Sequence, residues 1–267
     1  MKIKHYLCNA FIVENGKSKI AIDPGLDGWI FKLKSYIPKS EWDDVTHILL
    51  THGDPDHHWS TDKIAAASGA SVICGQELVR QNGEEIYMYN PRARGIQFNL
   101  LMDPAYPMKV GDVITVDGIT FEAFRSVHGS LHFKFLFGLI EKTATPGPGE
   151  RIGIGSKVFM ITVDNKTIVN MGDSLLLLDD WQGLVDLQPD VLMIPIGGDH
   201  APNTFNVSEA LEVVAMMKPK LVIPCHYNVD FLFTKKFNPA DDQKFKRDVE
   251  QMGFPCTIMN YGDELIV

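Results

Sequence analysis

A hairpin followed by a buried strand, a helix and a second strand is written twice in this chain, and that recurrence limits the fold more than any other feature. The first copy is "AFIVENGKSKIAIDPG" (residues 10–25), turned by Asn15 and Gly16, then "VTHILLTHG" (45–53). The second is "VFMITVDNKTIVNMGDS" (158–174), then "DVLMIPIGG" (190–198). Alternating or unbroken apolar runs bounded by Asn, Asp and Gly read as strands and tight hairpins. In each copy a helix follows. "STDKIAAASG" is closed by Gly69, and "NVSEALEVVAMMKPK" has Asn206 as N-cap with Glu209 three residues on. The strands "SVIC" and "LVIPCH" come next. Two such halves predict two β-sheets face to face with helices outside, an α/β four-layer αββα sandwich forming one domain over residues 1–267. With 45% hydrophobic residues, a 267-residue chain can fill that core.

Within and around the first copy, residues 2–23 read as one hairpin and Trp29–Tyr36 as a helix. Residues 84–107 carry prolines and no clean period, so they read as an excursion covering a site. "DVITVDGITFEAF" is a further hairpin turned by Asp117 and Gly118, and "TATPGPGERIGIG" is a Gly/Pro-rich loop.

A net charge of −9 with no long basic run argues against a nucleic-acid partner, since phosphate affinity needs clustered Lys and Arg. Nowhere do 18 apolar residues run together, and the start "MKIKHYLCNAFIVEN" lacks the apolar core of a signal peptide, so a cytoplasmic protein with no membrane partner is expected. The four cysteines lie far apart without a CxxC pair, which makes reduced thiols the expectation. The expected partner is a small-molecule substrate; a homo-oligomer is left open.

The chemistry is concentrated at strand ends. "ILLTHGDPDHHWS" (48–60) places His52, Asp54, Asp56, His57 and His58 directly behind a buried strand, and His128, Asp173 and His226 each follow another predicted strand. Open α/β folds place their sites at the carboxyl ends of strands. Imidazole nitrogens and carboxylate oxygens are the donors that Zn²⁺ and related divalent ions accept, and alternate spacing in a turn lets several face inward together.

"THGDPDH", followed by a later His, Asp and His, resembles the H-x-H-x-D-H motif and ligand order of the metallo-β-lactamase superfamily. "MGDS", "DVLMIPIGG" and "KLVIPCHYN" bring it nearest the branch of ascorbate-6-phosphate lactonase and uncharacterised metal-dependent hydrolases, over nearly the whole chain. The resemblance implies a hydrolase with two divalent ions sharing a hydroxide that attacks a small ester, lactone or phosphodiester. By position, His52 and His128 would hold one ion, Asp56, His57 and His226 the other, and Asp173 would bridge, with Asp56 and Asp173 as the catalytic carboxylates. The remaining ligand position falls on Asp54, where the family usually has histidine. Zn²⁺ is the expected metal, while an anionic, harder donor at Asp54 suits Mn²⁺ or Fe as the alternatives and leaves the pair less positive. Cys8 stands where the branch often has a histidine.

Alternatives remain at several positions. Asp54 could instead be a turn former before Pro55, and His58 could supply the missing nitrogen or contact substrate. His132 could replace His128, and His200, in "GGDHAPNTF", could contact substrate or carry a proton. His47 and His5 read as packed residues, Cys225 as buried beside His226, and Gly197 and Gly198 as either an anion contact or a tight turn. "GDSLL" (172–176) invites a serine-esterase reading with Ser174 as nucleophile, but no D-x-x-H base and no G-x-S-x-G elbow accompany it. At the level of function, a diiron oxygen-handling protein and a catalytically degenerate metal-binding module of the same fold are the alternatives.

Overall fold

The structure, a computed structural model, describes residues 1–25, 37–82, 85–88, 105–135, 140–145, 152–199, 202–231 and 235–267. The expected helix Trp29–Tyr36 and residue His200 lie outside them. The chain divides into two compact units, residues 1–109 with 259–267, and residues 110–258.

The first unit holds β1 (Lys2–His5), β2 (Phe11–Glu14), β3 (Lys19–Ile22), β4 (His47–Leu50), the helical turn α1 (Pro55–His58), α2 (Thr61–Ser68), β5 (Ser71–Gly75), the hairpin β6 (Val79–Asn82) and β7 (Glu85–Met88), and β8 (Ala105–Met108). Its main sheet runs from the C-terminal strand Glu264–Ile266 through β1, β2, β3, β4 and β5 to β8. β2 and β3 pair antiparallel across the Asn15–Gly16 turn, where Gly16 takes φ +82, and β3, β4, β5 and β8 pair in parallel. Every residue of β4 and β5 is buried, as parallel strands covered on both faces require.

Two expectations change here. The apolar stretch 2–14 is two strands, not one, because the chain folds back at Tyr6–Ala10, with Cys8 at φ +56 and the Tyr6 amide donating to the Ala10 carbonyl at 2.8 Å. Its only local signal is Asn9, which turns inward to donate to Asp23. The excursion at 84–107 also contains strand: β7 pairs with β6, and β8 adds an edge that can hold Pro107 because an outer strand has amide positions to spare. Residues 89–104 lie outside the described set.

The second unit holds β9 (Val113–Val116), β10 (Ile119–Arg125), the hairpin β11 (Leu131–Phe135) and β12 (Ile140–Ala144), β13 (Lys157–Val163), β14 (Lys166–Asn170), β15 (Val191–Pro195), α3 (Val207–Met217), β16 (Val222–Cys225), the hairpin β17 (Val229–Phe231) and β18 (Lys235–Phe237), and α4 (Asp242–Gln251). The sheet order is β16-β15-β14-β13-β10-β9. β13 and β14 form the expected hairpin, with Asp164 and Asn165 at positive φ, and β14, β15 and β16 are parallel. The second unit thus repeats the β2-to-β5 arrangement of the first. Asn206 accepts from the Glu209 amide while Glu209 reaches back to the Asn206 amide, the capping box read from the sequence. α3 buries Ala210, Val213, Val214 and Met217, spaced three and four residues apart, in a core with Leu192, Ile194, Trp181, Phe205 and Phe245. Each large apolar side chain so buried contributes about 1.5–3 kcal/mol. Among the described residues no helix is long and apolar enough to cross a membrane. All four cysteines are buried and none forms a disulfide, in line with the reduced thiols expected.

Candidate metal centre

In the first unit the donor turn hangs from one buried carboxylate. Asp23 follows β3 directly, is fully buried and takes φ +43. Its Oδ1 accepts the Thr51 amide at 2.7 Å. Its Oδ2 accepts the Thr51 hydroxyl at 2.5 Å, Asn9 Nδ2 at 2.6 Å and His57 Nδ1 at 2.8 Å. A carboxylate oxygen accepts, so His57 must carry its proton on Nδ1. Because the Thr51 hydroxyl spends its hydrogen on Asp23, its oxygen accepts from His52 Nδ1 at 3.1 Å, so His52 has the same tautomer. In both rings Nε2 is left with the lone pair, the form a metal takes. His52 Nε2 faces Asp54 Oδ2 at 3.9 Å and His57 Nε2 faces Asp56 Oδ2 at 3.6 Å, and the two ring centroids lie 3.9 Å apart.

Asp54 is the N-cap of α1, yet its side chain makes no cap hydrogen bond. Its backbone carbonyl instead accepts the amides of His57 and His58, and its carboxylate is buried toward His52. A turn-forming aspartate would cap; the Asp54 side chain makes no cap bond and faces His52 instead. His58 packs the other way, its Nδ1 on the Asp54 carbonyl at 3.0 Å, and burial pushes its pKa below the ordinary 6.5, against the pull of that carbonyl and the nearby carboxylates. Asp56 is the most open of the four donors of the turn, with 29% of its side chain exposed. Cys8 offers its sulfur within 4.8 Å of an Asp56 oxygen. The strap Asp23–Gly25 lies so close that a Cβ on Gly25 would sit 1.6 Å from the Asp56 carbonyl oxygen.

The second unit presents its donors singly. His128 Nδ1 donates to the Gly129 carbonyl at 2.6 Å, leaving the lone pair on Nε2, which faces Asp173 Oδ2 at 3.6 Å. His226, at φ +53 just past β16, faces the same oxygen with Nε2 at 3.4 Å, and the Asn238 amide lies 2.8 Å from its Nδ1. Asn203 Nδ2 donates to that oxygen at 3.1 Å. Glycines make the approaches: a Cβ on Gly153, at φ +63, would lie 2.2 Å from the Cβ of His128, and one on Gly197 would lie 2.4 Å from the Cβ of Asn238. Close packing therefore accounts for Gly197, while the amide of Gly198 is taken by the Phe205 carbonyl. Ser174 is fully buried with its hydroxyl on the Leu175 carbonyl, which does not suit a nucleophile. His132 lies in β11 with its side chain outside the described residues, and His200 is outside them altogether. His47 and His5 are buried, bonded to Thr46 and to the carbonyls of Met259 and Cys8.

The residues fit a metal by their chemistry. In each unit an imidazole lone pair, that of His52 and His57 in the first and of His128 in the second, faces a carboxylate oxygen at 3.6–3.9 Å, two electron-rich atoms that a cation between them would reconcile. Sequence reasoning missed Asp23, Thr51, Asn203 and Asn238. For Asp23 a signal existed: it follows β3 directly, as Asp173 follows β14 by three residues, each just past the second strand of its hairpin.

Residues 2–226 match the family described as the beta-lactamase superfamily domain. The chain belongs to the metallo-β-lactamase superfamily. Among its superfamily relatives, a UPF0173 metal-dependent hydrolase of Carboxydothermus hydrogenoformans is 30% identical, with the alignment covering 100% of both chains. One of Nanoarchaeum equitans is 28% identical over 99% of each. Igni18, a metallo hydrolase of Ignicoccus hospitalis, superposes with a TM-score of 0.69 at 22% identity, covering 99% of this chain and 97% of that one. The αββα sandwich expected from the sequence is the fold these likenesses show.

Proposed function

We propose that this metal-dependent hydrolase of the metallo-β-lactamase superfamily holds a pair of divalent ions and cleaves a small ester, lactone or phosphodiester. His52, Asp54 and His128 serve one ion, Asp56, His57 and His226 the other, and Asp173 both. The observation that carries this is the tautomer of His52, His57 and His128: each has its Nδ1 proton committed to an acceptor, so each presents Nε2 as a lone pair toward a carboxylate. Such ions, when bound, lower the pKa of a coordinated water toward about 7 and polarise the target oxygen. The protein's part is to hold geometry and move a proton. Asp56, the donor of the turn open to solvent, can accept the proton that the attacking water gives up, and Asp23 keeps His57 in one tautomer throughout.

Zn²⁺ is the first candidate. The buried, uncapped Asp54 favours Mn²⁺ or Fe and gives the diiron reading its observation. Metal analysis of the purified protein, chelation and reconstitution, and assay on a panel of esters, lactones and phosphodiesters test these readings together. We expect two equivalents of metal, hydrolysis lost on chelation and regained on reloading, and His57→Ala reduced to background. Hydrolysis that survives chelation overturns the hydrolytic reading; iron with a visible charge-transfer band and oxygen uptake replaces it with the diiron one. Tight metal with no turnover of any substrate supports the degenerate module.

A further inference from the structure

Asn203 lies on a loop the mechanism does not yet use, and that loop is fixed on two sides. The Gly129 amide donates to the Asn203 carbonyl at 2.9 Å, immediately after His128. A Cβ on Gly129 would lie 1.8 Å from the Pro202 carbonyl oxygen, so only glycine allows the contact. On the other side the Thr204 hydroxyl approaches the Ser174 carbonyl at 3.5 Å, immediately after Asp173. The Asn203 carbonyl and the Thr204 hydroxyl thus pin Asn203 between two donor-bearing loops of the second unit, without help from its own side chain.

The side chain is 2% exposed and its orientation is settled by chemistry. A carboxylate oxygen accepts only, so the atom 3.1 Å from Asp173 Oδ2 must be the amide nitrogen, and Oδ1 takes no hydrogen bond from any described residue. A buried acceptor left in that state is unfavourable, and an apolar side chain of the same size would avoid it. Packing alone therefore gives no reason for asparagine at this position; the donor to Asp173 does.

We infer that Asn203 is the positioning residue of Asp173: its N–H holds the one carboxylate oxygen that faces both His128 and His226, fixing the rotamer in which Asp173 serves the metal pair. This rests on the metal-binding reading above. It parallels Asp23 in the first unit, with the roles reversed, since there a carboxylate orients a histidine and here an amide orients a carboxylate.

The test compares wild type with Asn203→Leu, which keeps the branched heavy-atom shape and removes both polar atoms, and Asn203→Ala, which keeps only the anchors at the Asn203 carbonyl and Thr204. Zn²⁺ affinity is read by competition with a chromophoric chelator, and the metal-free proteins are compared by thermal melting. Loss of an outer hydrogen bond to a ligand typically weakens metal binding roughly 10- to 100-fold, and we expect a loss in that range in both variants. The melting point of metal-free Asn203→Leu should change little, because the lost bond to Asp173 and the removal of a buried acceptor oppose each other. With Co²⁺ in place of Zn²⁺, the visible spectrum should shift in both variants as Asp173 changes its mode of binding. Wild-type affinity and spectrum in either folded variant overturn the inference while leaving the metal reading intact. If Asn203→Leu does not fold, and Asn203→Ala loses metal-free stability but no Zn²⁺ affinity, Asn203 is a packing residue and the inference is again overturned. Failure of wild type itself to take up Zn²⁺ overturns the metal reading, and this inference with it.

Discussion

The two units carry the same strand plan and differ in how they support their donors. The first draws His52, Asp54, Asp56 and His57 from one turn and ties the imidazoles, directly or through Thr51, to the one buried carboxylate of Asp23. The second takes His128, Asp173 and His226 from three strand ends and gives each its own neutral prop: a backbone carbonyl, the Asn203 amide and the Asn238 amide. A dense turn can fix several tautomers with one charge because its members lie within reach of one oxygen. Scattered donors cannot share in this way. Damage to the first unit's support should therefore remove several donors together, and damage to the second's should remove them one at a time.

The largest expected effect comes from backbone contact. In Gly25→Ala the new Cβ would collide with the Asp56 carbonyl, so the strap or the turn must move; we expect a loss on the order of 4 kcal/mol or more and failure of the whole turn to bind metal. Gly153→Ala meets the His128 Cβ at 2.2 Å from a positive φ, and should cost on the order of 3 kcal/mol with the damage centred on His128. Denaturant unfolding with metal stoichiometry distinguishes the two. Equal loss of metal from both variants would end the contrast between shared and separate support.

The same contrast explains what the sequence made legible. His52, Asp56, His57, His128, Asp173 and His226 could be named because strand ends and donor residue types are local properties. The hairpin turns and the capping box of α3 were local too, and the structure has them. The turn at Cys8 was hidden because apolar residues flank it on both sides, and β8 because an edge strand needs no unbroken period. Asp23, Asn203 and Asn238 were hidden for a different reason: an orienting residue is defined by the partner it meets across the fold. An aspartate before proline and glycine reads equally well as a turn. Asp54 shows the converse, since its sequence context suits a cap and its side chain makes no cap bond.

Next in size are the props themselves. Asp23→Asn keeps the shape but turns an acceptor into an amide facing donors, so it should cost about 3 kcal/mol of stability and roughly 100-fold in metal affinity, near the upper end for an orienting carboxylate. Asn238→Ala removes a neutral partner from one ring, and about 10-fold is expected, with the first unit's donors unaffected. Titration of each variant with Zn²⁺ against a competing chelator gives both numbers. A larger loss from Asn238→Ala than from Asp23→Asn would reverse the ranking of charged over neutral support.

The smallest effects ask whether the asymmetry stops at the donors. Each unit has a carboxylate ahead of its first post-hairpin parallel strand: Glu41 before β4, held by the Tyr6 hydroxyl and the ammonium groups of Lys4 and Lys19, and Asp190 before β15, held by the Thr167 amide, Lys220 and Lys166. Burial by itself would raise both pKa values, but these partners outweigh it and hold each below its ordinary value of 4.5 or 3.8. With the folded pKa depressed, the unfolded chain binds more protons on the acid side, so each contribution is complete above the ordinary pKa and is lost as the pH falls through the folded one. Glu41→Gln should cost about 1–2 kcal/mol at neutral pH, since Glu41 is buried, and Asp190→Asn about 0.5–1 kcal/mol, because Lys220 and Lys166 are largely solvated. Both costs should shrink toward zero in acid, measured by urea unfolding across the pH range. If the two residues share this sign and differ only by their burial, the units are alike as scaffolds and differ only where they hold metal. If one cost grows as the pH falls, the difference between the units extends beyond the donors into the sheets that carry them.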